Sequence, residues 1–247
     1  YFDLAVAGIG AIPTGVYTTD SADQLAYLVN DSQAKFLIIE NDEQLDKFLE
    51  ARDKMPGLQK AIVLEREGLR DFHDEQVIFY DELLLMGRKA QEKHPNRFEQ
   101  ALEQVQPEDT RMLVYTSGTT GPPKGAMITH RNMMFQLVSA ETLLDVSSED
   151  EQLCFLPLCH VLERIFSVEQ PIRAGAVVNF AESPETVFDN LREVAPTLFT
   201  AVPRLWEKMY SRIMIMRSEA TPMGRVVFDW AIKQGLKKAA AKENGKS

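Results

Sequence analysis

Six short apolar runs, separated by segments of helical periodicity, constrain the architecture of this chain more than any other feature. They are Phe36-Leu-Ile-Ile39, Ala61-Ile-Val-Leu64, Met112-Leu-Val-Tyr115, Leu153-Cys-Phe-Leu156, Ala176-Val-Val178 and Leu198-Phe-Thr-Ala-Val202. Near-continuous apolarity over so few residues marks strands covered on both faces. Between them, Ser21 opens a helix with Gln24 completing a capping box, and Leu25, Leu28 and Val29 form its inner face. Met133, Leu137, Ala140 and Leu144 recur at helical spacing. Ser183-Pro184 starts a further helix with Val187, Leu191 and Val194 inward, and Pro196 ends it. Strand–helix alternation of this kind predicts an α/β fold, a largely parallel sheet with helices on both faces.

Residues 65–109 are more polar and read as a loop followed by one helix, roughly 81–105, laid over the sheet. Residues 204–247 read as long helix with a break near Pro222. Leu205, Met209, Ile213 and Met216 there suit core packing. A net charge of −10 excludes a phosphate-backbone binder, so no nucleic-acid partner is expected. The apolar stretches are too short to span a bilayer. Cys154 and Cys159 give no disulfide framework and suit a reducing cytoplasm.

Chemistry concentrates in Leu113-Val-Tyr-Thr-Ser-Gly-Thr-Thr-Gly-Pro-Pro-Lys-Gly125. An apolar strand opens there into a turn dense in hydroxyls and glycines, with one lysine. Gly118 and Gly121 let backbone N–H groups approach an anion and permit positive φ. Thr116, Ser117, Thr119 and Thr120 add hydroxyl donors, any of which can ligate a divalent cation. Lys124 adds a compact charge able to follow a moving phosphate. Pro122 and Pro123 donate nothing and stiffen the exit. The Walker arrangement is excluded, because Pro123 precedes the lysine and Gly125-Ala-Met-Ile-Thr129 reads as a strand rather than a helix. On composition alone, a plain hydrophilic connection between two strands remains open.

The run Tyr115-Thr-Ser-Gly-Thr-Thr-Gly-Pro-Pro-Lys-Gly125 resembles the phosphate-binding signature of the adenylate-forming (AMP-binding) superfamily, which includes acyl-CoA synthetases, peptide-synthetase adenylation domains and luciferases. Leu156-Pro-Leu-Cys-His-Val-Leu-Glu-Arg164 is similar to that family's next motif, and with Ala201-Val-Pro-Arg204 it resembles the long-chain fatty acyl-CoA synthetase branch. Arg164 stands where some fatty-acid members place a tryptophan gate. The resemblance implies an ATP-dependent ligase that activates a long-chain fatty acid as its acyl-adenylate and then transfers it to coenzyme A. It implies nucleotide binding by Tyr115, Thr116, Ser117, Gly118, Thr119, Thr120, Gly121, Lys124 and Gly125, with Mg²⁺ on Thr119. Lys124 and His160 are the implied catalytic residues, His160 beside the carboxylate and α-phosphate.

The family's adenine-binding Tyr-Gly-x-Thr-Glu motif, ribose aspartate and C-terminal lysine-bearing domain do not occur in residues 1–247, and the resemblance implies a further initial portion before Tyr1. The chain is therefore expected to be part of an N-terminal AMP-binding domain, inactive by itself. Alternatives are an acyl-AMP ligase loading a carrier protein and a non-catalytic nucleotide- or fatty-acid-binding module. A Cys159–His160 thiol hydrolase is disfavoured, because adjacent side chains point apart. The four histidines lack metal-ligand spacing. The expected location is the cytoplasm, with peripheral contact at the inner face of a membrane as a secondary reading.

Overall fold

The computed structural model describes residues 1–116 and 121–243. Strands β1 (Phe36–Ile39), β2 (Lys60–Val63) and β3 (Val77–Phe79) form a parallel sheet in that order, with Ile39 beside Val63 and Val63 beside Phe79. Helices α2 (Ala22–Asp31) and α3 (Asp42–Ala51) pack with it. The expected capping box is present: Ser21 Oγ accepts from the Gln24 N–H at 3.3 Å, and Gln24 Oε1 accepts from the Ser21 N–H at 2.8 Å. Asn41 caps α3 with one bond, its Oδ1 accepting from the Gln44 N–H at 3.2 Å. These caps satisfy N–H groups that the first helical turn leaves without partners. Leu25 and Val29 of α2, Leu45 and Phe48 of α3, and Ile39, Ala61 and Val63 of the sheet share one apolar cluster, with Phe48 fully buried. Burying one such aromatic side chain contributes about 1.5–3 kcal/mol.

The other strands form two further sheets. Strands β4 (Thr110–Thr116) and β5 (Lys124–Thr129) pair antiparallel, with Tyr115 opposite Gly125 and Thr116 opposite Lys124. β5 runs straight into α6 (His130–Leu143), whose Thr129–Asn132 capping box closes with two bonds of 3.1 Å. Met133 and Leu137 of α6 bury against Met112 of β4, as their spacing predicts. Strands β6 (Glu151–Cys154) and β7 (Val177–Phe180) are parallel. Between them run α7 (Val161–Arg164), a π-helical turn (Ile165–Glu169) and α8 (Gln170–Ala174). Gly175 ends α8 at φ +78°, a left-handed position at which a Cβ is strained. Helix α9 (Val187–Val194) follows.

A buried ionic cluster joins α1 (Phe2–Gly8), β4 and the π-helical turn. Arg111 Nη2 donates to Asp3 Oδ2 at 2.7 Å and to Glu169 Oε1 at 2.8 Å, and the Arg111 side chain is 5% exposed. Arg164 Nη1 stands 3.0 Å from Asp3 Oδ1, an ion-pair contact without hydrogen-bond alignment. Burial pushes the Glu169 carboxyl up despite the Arg111 charge beside it.

Three sequence readings need correction. Residues 65–109 contain β3, and the single helix expected over 81–105 is two, α4 (Tyr80–Lys93) and α5 (Arg97–Gln104). Pro95 separates them because it disfavours helical geometry at His94. The apolar run 198–202 is not a strand: Leu198 makes one parallel bridge to Gln152, and helix begins at Pro203. The chain divides into two compact units, Tyr1–Leu198 and Phe199–Ser247. The second holds α10 (Pro203–Glu219) and α11 (Pro222–Glu243), broken at Pro222 as expected and joined by a two-pronged Arg217–Asp229 pair at 2.6 and 2.7 Å. The core packing expected of Leu205, Met209, Ile213 and Met216 is absent among the described residues. α10 buries no residue, and Ile213 and Met216 are exposed. No helix of the described residues is long and apolar enough to cross a membrane.

Candidate active site

The β4–β5 hairpin sets the ends of the hydroxyl-rich connection. Tyr115 and Thr116 close β4, Thr116 is exposed, and Lys124 opens β5 directly across from it. Ser117, Gly118, Thr119 and Thr120 lie outside the described residues, so the cation role expected of Thr119 lies there as well. Gly121 adopts φ +86°, the left-handed conformation its place in the turn predicts. Lys124 is exposed and has no carboxylate partner among the described residues, which leaves its charge open to an incoming anion.

Gly125 has a packing task as well. A Cβ there would come within 3.2 Å of Tyr115 Cζ, so the missing side chain makes room for the aromatic ring on the opposing strand. The Tyr115 hydroxyl is likewise engaged, donating to Asp31 Oδ2 at 2.7 Å. Burial, followed by that hydrogen bond to a carboxylate, raises the Tyr115 pKa and keeps the phenol a donor.

His160 precedes α7 and caps it. Its N–H donates to Pro157 O at 2.9 Å, and its Nδ1 accepts from the Leu162 N–H at 3.2 Å. With Nδ1 accepting, the ring proton sits on Nε2. The histidine is therefore satisfied on one side by its own backbone and retains one donor. Its neighbour Cys159 is poorly suited to nucleophilic work, since burial raises its pKa. Cys154 is pushed up to about 12 by burial and by the nearby Glu163 carboxylate.

Segment 13–17 brings the two motifs together. Leu113 N–H donates to Pro13 O at 3.0 Å, and Thr14 Oγ1 donates to Leu113 O at 3.3 Å, a parallel bridge alongside β4. One residue on, a Cβ placed on Gly15 would lie 2.5 Å from Cys159 Cβ and 2.6 Å from its Cα. The His160 turn thus abuts this segment at the carboxyl half of β4, from which the hydroxyl-rich connection departs. Arg164 Nη1 reaches Met112 Sδ of β4 at 3.3 Å, and Arg164 Nε donates to Leu158 O at 3.1 Å. This arginine is buried and fixed. A cavity of about 450 Å³ lies beside it, bounded by Val16, Tyr17, Phe155, Leu156 and Leu158.

Sequence reasoning missed Tyr27 and Asp31 of α2, which contact the hairpin stems. Nothing near them in the sequence signals it. Among the described residues, no group of three or more His, Cys, Asp or Glu side chains could hold a metal ion.

The model of the AMP-binding enzyme family matches residues 1–241. Among curated relatives, a long-chain-fatty-acid–CoA ligase, ACSBG2 of Homo sapiens, is 31% identical over 256 residues, covering 100% of this chain and 37% of the relative. The chain spans about a third of the length of the curated relatives it matches. Two solved structures share the fold. The anthranilate CoA ligase AuaEII in complex with anthranoyl-AMP has a TM-score of 0.60 at 21% identity, covering 77% of this chain and 35% of that one. The A-PCP didomain of carboxylic acid reductase from Segniliparus rugosus, in complex with AMP, has a TM-score of 0.61 at 20% identity, covering 91% and 34%. With the family's model matched from Tyr1 almost to the last residue, this chain belongs to the AMP-binding enzyme family.

Proposed function

We propose that this chain is part of an ATP-dependent ligase that activates a long-chain fatty acid as acyl-adenylate and passes it to coenzyme A. The observation that carries the reading is the β4–β5 hairpin, which presents Lys124, without a carboxylate partner among the described residues, and left-handed Gly121 at the end of β4 that the His160 turn also abuts. Family membership makes adenylate formation the matching chemistry, and the fatty-acid ligases among the relatives favour a long acyl chain.

In the first step a carboxylate oxygen attacks the α-phosphorus of ATP, and the bond to pyrophosphate breaks. Two anions must be held together while negative charge moves onto the leaving group. The backbone donors and hydroxyls of residues 116–121 would hold the β- and γ-phosphates, and Lys124 would follow the charge as it shifts. The Nε2–H of His160 would donate toward the carboxylate and α-phosphate. A hydroxyl such as Thr119, with phosphate oxygens, is a donor set that suits Mg²⁺, which when bound neutralises developing charge. In the second step the CoA sulfur attacks the acyl carbonyl, AMP departs, and the thiol proton is released.

Lys124→Ala in the full-length protein tests this reading. ATP–pyrophosphate exchange should fall by about 10²-fold or more, as for loss of one preorganised charge-stabilising group, with the melting temperature nearly unchanged. Unaltered exchange removes Lys124 from the reaction. Supplying free CoA or a carrier protein to the accumulated adenylate distinguishes the CoA ligase from a carrier-loading enzyme.

A further inference from the structure

We propose that α2 is a positioning element for the phosphate loop, with Asp31 holding one stem through Tyr115 and Tyr27 holding the other through Pro123. The proposal rests on the adenylation reading above, and extends it to two residues remote from the loop in sequence. Tyr115 OH donates to Asp31 Oδ2 at 2.7 Å across 84 positions, and Tyr27 OH donates to Pro123 O at 2.8 Å across 96. Residues four apart on a helix share a face, so one face of α2 reaches both ends of the connection.

The helix is a rigid support. Its first turn is closed by the Ser21–Gln24 capping box, and Leu25, Leu28 and Val29 are buried on its inner side. The Tyr115 ring is confined as well, against Gly125 on the opposing strand. Pro123 has no N–H, so its carbonyl is its only backbone hydrogen-bonding group, and Tyr27 takes it. Asp31 is chemically wrong as a phosphate ligand, since its charge would repel the anion. As an acceptor for Tyr115 it fixes the stem from behind. Tyr115, which the resemblance places among the nucleotide-binding residues, is therefore assigned to the support through its hydroxyl.

The experiment uses the full-length enzyme containing this chain and measures ATP–pyrophosphate exchange against ATP and fatty acid separately. Tyr27→Phe and Asp31→Leu should each raise KM for ATP about tenfold, the scale of losing a sub-ångström alignment, with KM for fatty acid unchanged. Asp31→Asn keeps an acceptor and should restore near-normal KM for ATP. Combining Tyr115→Phe with Asp31→Leu should cost no more than either alone, because both remove the same bond. Unchanged KM for ATP in Tyr27→Phe and Asp31→Leu, or parallel rises in both KM values, overturns the positioning role while adenylation stands. Absence of exchange in the wild-type enzyme overturns the adenylation reading, and the positioning role with it.

Discussion

Replacing Gly15 with alanine tests the contact that joins the two motifs. A Cβ there would sit 2.5 Å from Cys159 Cβ and 2.6 Å from Cys159 Cα. Carbon atoms in comfortable contact stand about 3.5–4.0 Å apart, so segment 13–17 and the Leu158–His160 turn must separate by about 1 Å. Forced overpacking of this kind costs about 1–3 kcal/mol. The sign is diagnostic, because at an unstrained site glycine-to-alanine stabilises by about 0.4–1 kcal/mol through the unfolded chain. Gly15 has no left-handed φ, so the whole penalty is steric. Denaturant unfolding should show the loss as a lower midpoint with an unchanged slope. In the full-length enzyme the displaced His160 turn should lower adenylation by up to about 10²-fold, as misplacement near 1 Å does. Adding Cys159→Ala should not rescue, since alanine keeps both clashing atoms. A Gly15→Ala variant as stable and active as wild type would refute the packing argument.

Three further outcomes are expected. Phe48→Ala empties the centre of the first core and should cost about 3–5 kcal/mol in a denaturant titration; a loss under 1 kcal/mol would show that Phe48 is not core. Arg111→Leu leaves half-buried Glu169 without its cation and Asp3 with Arg164 alone, and should destabilise by about 3 kcal/mol at neutral pH, the low end of the range for breaking a buried pair. That loss should shrink on acidification, because protonating Glu169 removes one uncompensated charge, and a pH-independent loss would contradict the pairing. Asp74 accepts from the Gln76 N–H and pairs with Arg52, which hold its pKa below the ordinary 3.8. A depressed carboxylate stabilises the fold above its unfolded pKa and loses that contribution as pH falls through its folded one. Asp74→Asn should therefore flatten the stability profile below about pH 4, and equal acid slopes in variant and wild type would exclude the linkage.

Local physics made part of this legible in the sequence. Strands such as Phe36–Ile39 and Thr110–Thr116 read through because each holds a run of four apolar or aromatic residues, although Phe36 and Ile38 stay exposed and only part of each strand is buried as expected. The capped helix at Ser21 read through because its signal lies within four residues. β3 did not, since three residues in a charged stretch leave no periodicity. The run 198–202 misled because apolarity alone does not supply a strand with partners, and Pro203 starts a helix at once. In the candidate site, Gly121 and Lys124 announce themselves by local composition, and His160 only through the resemblance of its motif. Tyr27 and Asp31 do not, because their contacts span 96 and 84 positions and nothing on an ordinary helix marks them. The role of Gly125 was equally hidden, since only strand register shows which residue faces it.

The pairing of Thr116 with Lys124 has an evolutionary corollary. Because neighbouring antiparallel strands fix the distance between these two positions, the intervening stretch can lengthen or change composition without moving its endpoints. The entropic cost of a longer closed segment grows only logarithmically. Different anion grips could therefore be grafted between the same two strands, with the scaffold beneath indifferent to the exchange.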